Sequence, residues 1–405
     1  MLASKWLFSF VIVLTISLSL TAFVGDYKNE KELIKVADKY FDAGGYDQCL
    51  DLYSQLVSTH PKAPNYNFKY GVCLLYSTED KVQSLRYLSF SVKNENIVDP
   101  KAFYFYGQAL QQNYDFDRAI KNYKKYQSLV KGKESQGLNT PRLIKQCKLA
   151  KKMILEFQKM DVVSKKSVGK KEFFRSYRLG SMKRSIIITP EEFQVSQDKK
   201  SKDYSLIVHN PTVETVYFSS YNKDGNIGGK DIFKIRKMPD GTFSKPINLG
   251  PLVNTPMDED YPYLHPNGRV LYFASKGRNG IGGFDIFKSE LDTTNNLWGE
   301  AVNVGFSVNS PADDILYVSD MDENIAYFAS NRTNKNGEIT VYKILPNKNN
   351  EPVIAVRGQV EIEGIRNQTA KVTVYNEKGE ELNVFTSQKL SGTFNMILDE
   401  DQTYI

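Results

Sequence analysis

From about Asp26 to Gln158 the apolar residues fall three and four positions apart, as a buried helical face requires. Ala37, Tyr40, Gly45-Tyr46, Leu50, Tyr53 and Leu56-Val57 follow one another in this way, with a glycine turn inside the run and Pro61 at its end. Beyond about Ile186 the period shortens. Tyr263-Leu264, Val270–Ala274 and Phe284–Lys288 predict three strands, joined by the turn His265–Arg269 and the loop Gly277–Gly283. Asn267-Gly268 is a hairpin signal. Val353–Val360 and Ala370–Tyr375 alternate apolar with polar residues, and Gly392–Leu398 predicts a further strand.

Both patterns repeat. Tyr70-Gly71-x-x-Leu74 returns as Tyr106-Gly107-x-x-Leu110, 36 residues on, and Leu50-x-x-Tyr53 is echoed by Ser84-x-x-Tyr87 and Ile120-x-x-Tyr123. Three helix pairs are expected, with Gly71 and Gly107 allowing close helix approach. A closing helix is expected from about Thr140 to Met160, started by Asn139-Thr140-Pro141, with Leu143, Cys147, Ala150, Ile154 and Phe157 on one face. In the second half Tyr217-Phe218-Ser219-Ser220 recurs as Tyr272–Ser275 and Tyr327–Ser330, 55 residues apart each time. Leu249-Gly250, Val253–Pro256 and Asp258 correspond to Val304-Gly305, Val308–Pro311 and Asp313 at the same spacing. The loop Asp224–Gly229 with Asp231–Lys234 matches the glycine loop and third strand of the following unit, and decays to Asn334–Gly337 in the third. Such a period predicts a repeated β-sheet unit of the propeller type, as a small four-bladed ring or an incompletely closed array.

Between the arrays, residues 145–184 hold thirteen Lys or Arg against Glu156, Asp161 and Glu172. The segment 161–185 reads as a basic linker that becomes a strand near Ser185–Ile188. It is either a solvated stretch or a contact for an anionic membrane surface. At the N-terminus, Lys5, the apolar run Trp6–Leu20 and Thr21-Ala22 give the order of a secretory signal peptide over 1–22, with an uncleaved anchor as the alternative. The expected location is outside the cytoplasm. Cys49, Cys73 and Cys147 lie among apolar helical neighbours and read as small core residues; in an exported protein a Cys49–Cys73 bridge is conceivable.

No residue pattern points to catalysis. His60, His209 and His265 sit beside turn prolines, and Asp258, Glu259, Asp260, Asp313 and Asp314 recur with the repeat, whereas a catalytic cluster occurs once. The chain is expected to be no enzyme, with no catalytic residue, no cofactor and no metal site. Asn222-x-Asp224-Gly225-Asn226 resembles half of a calcium loop but has no following glutamate. Asp231 and Asp285 are expected to anchor their loops by accepting backbone N–H bonds. Phe173, Phe174 and Tyr177 interleave with basic residues, but export argues against nucleic acid. The candidate partner-binding residues are Tyr66, Tyr70, Tyr104 and Tyr106; they either line the concave face of the helical array or pack between its helices.

The helical motifs resemble the tetratricopeptide (TPR) repeat. The 55-residue units are similar to the PD40 variant of WD40-like propeller repeats, and Gly358, Ala370–Val374, Gly392-x-Phe394 and Tyr404 look like the start of a carboxypeptidase regulatory-like β-sandwich. The expected architecture is therefore multidomain α + β. An N-terminal TPR solenoid covers 26–160, propeller-like repeats cover 186–345, and a partial sandwich covers 353–405. This order resembles the PorE-like members of the OmpA family, associated with type IX secretion. The resemblance implies a periplasmic, outer-membrane-associated scaffold that joins envelope proteins and ties a secretion or motility assembly to the cell wall. Its peptidoglycan contact would lie in an OmpA-like domain expected beyond Ile405. The alternative is a propeller that binds a glycan or peptide in its central channel, with Asp258, Asp313 and Tyr261 as the motive.

Overall fold

The computed structural model describes residues 29–130, 138–154, 160–201, 205–210, 213–221, 225–346, 353–360, 369–387, 392–399 and 403–405. The segment read as a signal peptide, Asn222 and Asp224 of the calcium-like loop, and Phe157 lie outside them.

Among the described residues seven helices come first: α1 (Glu30–Asp42), α2 (Tyr46–Thr59), α3 (Pro64–Ser77), α4 (Val82–Val92), α5 (Lys101–Gln112), α6 (Phe116–Leu129) and α7 (Thr140–Met153). They pack in sequence as three helix pairs and a closing helix, each against its chain neighbour. The tightest approach is at Gly107. A Cβ there would lie 2.6 Å from the ring of Tyr123, so the absent side chain lets α6 bring that tyrosine close against α5. Asn29 caps α1 by accepting the Glu32 N–H at 3.0 Å, and Asn139 opens α7 in a left-handed conformation ahead of Pro141. The closing helix is shorter than expected: it stops at Met153, and Met160 already belongs to a strand.

That strand, β1 (Met160–Gly169), corrects the linker reading. It pairs antiparallel with Glu338–Pro346 over its whole length. The residues after it form 3-10 turns at Phe173–Ser176 and Gly180–Met182. The apolar alternation is missing because nearly every position of β1 is exposed; an outermost strand has no buried face to encode. Phe173, Tyr177 and Leu179 are buried in the β core, and the Tyr177 hydroxyl donates to the Leu316 carbonyl at 2.8 Å.

The sheets follow the 55-residue period. An antiparallel pair, β2 (Ser185–Ile188) and β3 (Leu206–His209), precedes β4 (Thr215–Ser220), β5 (Asp231–Arg236) and β6 (Ile247–Asn248), the first blade. The second holds β7 (Glu259–Leu264), β8 (Val270–Ser275) and β9 (Asp285–Asp292), with the short β10 (Leu297–Trp298) and β11 (Val302–Asn303) at its outer edge. The third holds β12 (Asp314–Ser319), β13 (Ala326–Ser330) and β14 (Glu338–Pro346), and β1 supplies its outer strand. The segment that enters the first blade thus completes the last one, so the two ends of the array share a sheet. Among the described residues there are three blade sheets.

The remaining strands, β15 (Val353–Gln359), β16 (Lys371–Tyr375), β17 (Glu381–Thr386) and β18 (Thr393–Asp399), pair as β15–β18 and β16–β17. Gly358 faces Phe394 across the first pair, and Tyr404 bridges to Asn376. Both belong to the pattern that predicted a partial sandwich.

Candidate functional site

The recurring residues of the blades hold backbone in place. Asn254 Oδ1 accepts the Ile232 N–H at 2.8 Å and its Nδ2 donates to the Ile232 carbonyl at 3.0 Å. Asn309 does the same with Ile286, at 2.8 Å for both bonds. Each asparagine thereby stands in for one residue of a neighbouring strand. Asp231 accepts the Ile227 N–H at 2.6 Å, and Asp285 accepts those of Ile281 and Gly282, as expected of loop anchors. Asp258 and Asp313 tie each blade to the one before, accepting the N–H groups of Lys230 and Phe284 at 3.1 and 3.0 Å. Burial opposes ionisation of Asp258, but the Lys276 ammonium at 2.9 Å and the Lys230 N–H outweigh it and hold the carboxyl below its ordinary range. His265 is buried at the turn: its Nδ1 accepts from the Asn267 N–H at 3.3 Å, and its Nε2 lies 3.2 Å from the Asp320 carbonyl.

A small cavity of about 100 Å³ lies among Tyr221, Lys230, Asp258, Asp260, Tyr261 and Asp313. Its charges are largely paired: Lys230 with Asp260 at 2.8 Å, Lys276 with Asp258 at 2.9 Å.

The larger feature lies where helices meet blades. Ile281, at the tip of the second blade's glycine loop, is fully buried within the core of the helical array. Gln111 of α5 donates from Nε2 to the Ile281 carbonyl at 3.1 Å and accepts the Tyr123 hydroxyl on Oε1 at 2.7 Å. Gln146 of α7 donates to the Gly282 carbonyl, and Arg142 to the Lys276 carbonyl. Tyr114 packs edge-on to Phe306 at 5.8 Å, and the Asn336 N–H donates to the Tyr76 carbonyl at 3.0 Å. The loop must run close to the third blade as it docks. A Cβ on Gly282 would sit 2.2 Å from the Ser310 carbonyl oxygen.

Beside this junction opens a cleft of about 430 Å³, floored by α5 and α7 and walled by the second and third blades. Lys81, Arg142, Lys170, Lys276 and Lys335 line it against only Asp313 and Glu338. Gln108, Gln112 and Asn331 add uncharged donors and acceptors. Burial lowers the Lys81 ammonium to about 8, with Asp47 and Glu79 opposing that shift.

Of the four tyrosines singled out from sequence, only Tyr104 reaches this cleft. It is buried, its ring tilted against that of Tyr126, and its hydroxyl accepts from Gln108 Nε2 at 3.0 Å. Tyr106 is buried, with Arg118 donating to its hydroxyl. Tyr70 packs edge-on to Tyr87 at 4.7 Å and Tyr66 reaches Glu30 at 3.4 Å; both are half-buried. Tyr104 and Tyr106 pack between helices, and the cleft is also lined by glutamines and lysines that sequence reasoning passed over. The available signal was Gln108-x-x-Gln111-Gln112, uncharged polar residues on an otherwise apolar helix. Among the described residues no group of three or more His, Cys, Asp or Glu is placed to hold a metal ion.

No family model matches the chain, and no curated protein matches it. Among solved structures, the first TPR domain of the human RPAP3 protein, determined by NMR, is similar at 22% identity, over 94% of that domain and 30% of this chain, with a TM-score of 0.26.

Proposed function

We propose that this chain is a non-catalytic adaptor that receives an extended segment of a partner protein in the cleft between helices and blades. The carrying observation is the cleft's composition. It is cationic: Lys81, Arg142 and Lys170 line it besides the ion-paired Lys276 and Lys335, a match for carboxylates, and Gln112 adds a side-chain amide. Both arrays are built of stacked repeats, an architecture that presents surfaces. The PD40-type and sandwich motifs and the resemblance to PorE-like members of the OmpA family add the setting. In this reading the protein is exported, sits in the periplasm against the outer membrane, and helps tie a secretion or motility assembly to the cell wall. A glycan held at Asp258, Asp313 and Tyr261 has less support, because the cavity they line is about 100 Å³ and its acids already hold blade to blade.

Affinity capture from envelope extracts tests the reading, with wild type compared against a Lys81→Glu/Lys335→Glu variant of unchanged circular dichroism. A protein recovered by wild type and lost from the variant is the expected result. Equal recovery by both, or none by either, sinks the reading.

A further inference from the structure

Two of the three cysteines meet. Cys49 on α2 and Cys73 on α3 are fully buried in the same small apolar cluster, with their Sγ atoms 3.1 Å apart. That is inside ordinary non-bonded contact, about 3.5–4.0 Å even for the smaller carbon atom. Cys147 lies in a different cluster, that of the later helices. The pair also spans the junction between the first and second helix pairs. In a stacked array each repeat is held by its neighbours, and α1–α2, the first described pair, packs onward through α2 against α3.

We propose that Cys49 and Cys73 form a disulfide that staples the first helix pair to the second. The bond would form by exchange with a small or protein disulfide. One cysteine thiolate attacks that disulfide, giving a mixed disulfide and releasing one thiol. The second cysteine then attacks the protein-side sulfur and releases the other thiol. Two protein thiols become one protein disulfide, and the oxidant disulfide becomes two thiols. Since both sulfurs are buried, exchange must precede docking of α2 on α3 or follow its local opening. The staple closes a separation of 24 residues, so it restricts the unfolded chain as well as the interface. The inference does not depend on the docking role of the cleft.

The test equilibrates the full chain with oxidised and reduced glutathione, then denatures it without reductant and alkylates. One alkylated residue, Cys147, together with a linked Cys49–Cys73 peptide, is expected. Three alkylated cysteines, or a bridge that includes Cys147, overturn the proposal. In parallel, reduction should lower the Tm of wild type and of Cys147→Ser by several degrees and leave a Cys49→Ala/Cys73→Ala variant unmoved. An equal response in the double variant also overturns it.

Discussion

Gln111 donates its side-chain amide to the main-chain carbonyl of Ile281, 170 residues away, and this one bond joins two folding patterns that share no period. It is backed by the Tyr123 hydroxyl on the same amide and, through the Tyr123 ring, by the open space at Gly107. The glycine that lets two helices approach is therefore also the start of the lock between helices and blades.

That lock makes Ile281 worth far more than its counterpart. Ile281→Ala should cost about 2–5 kcal/mol, the range for a buried aliphatic truncation, and should separate thermal unfolding into two transitions as helices and blades uncouple. Ile227 occupies the same place in the first blade's loop but is 38% exposed, so Ile227→Ala should change stability by no more than about 0.5 kcal/mol. Calorimetry of both variants checks the contrast.

Gly282→Ala should be strongly destabilising, because the new Cβ meets the Ser310 carbonyl, and backbone on both sides must shift. Gly169, at the end of β1, has nothing within 4 Å of its would-be Cβ. Gly169→Ala should leave the denaturant midpoint close to that of wild type.

Glu259 gives the blades a pH dependence. Burial raises its carboxyl to about 7, against the bonds from Ser275 and Thr255, which favour the ionised form. The folded state thus binds this proton more tightly than the unfolded chain does. The group's stabilising contribution is complete below the ordinary value of 4.5 and is lost as pH rises through about 7. The loss is on the order of 3 kcal/mol. Glu259→Gln should flatten the fall in Tm between these limits; a slope equal to that of wild type counts against the assignment.

If an acidic segment occupies the cleft, its affinity should decline as pH rises through about 8, where Lys81 loses its proton. Lys81→Met should bind more weakly at pH 7 and show a flatter dependence across that range. Fluorescence polarisation with a labelled acidic peptide from the captured partner measures both.

The sequence was read most easily where a residue's role is set by its own repeat. Gly107 meets the Tyr123 ring of the next helix, Asn139-Thr140-Pro141 starts its own helix, Ser185–Ile188 pairs with the next strand, and Asp231 and Asp285 bind their own loops. It was hardest to read where solvent erased the pattern. Lys165 and Lys166 sit in a paired strand, yet their neighbours Val162 and Val163 are about half exposed, so no alternation survives. The tyrosines stayed ambiguous in the sequence for a different reason. Large aromatic rings serve equally well as interface anchors or as packing, and Tyr104 and Tyr106 are buried.

The chain's own order of residues determined that helix pairs precede 55-residue β units, because hydrophobic period and turn chemistry are local properties. Tertiary structure alone decided that β1 closes the last blade, that Cys49 meets Cys73, and that Ile281 is buried while Ile227 is not. Those outcomes depend on which distant surface arrives to exclude water, and two loops of nearly the same sequence carry no mark of which one will be covered.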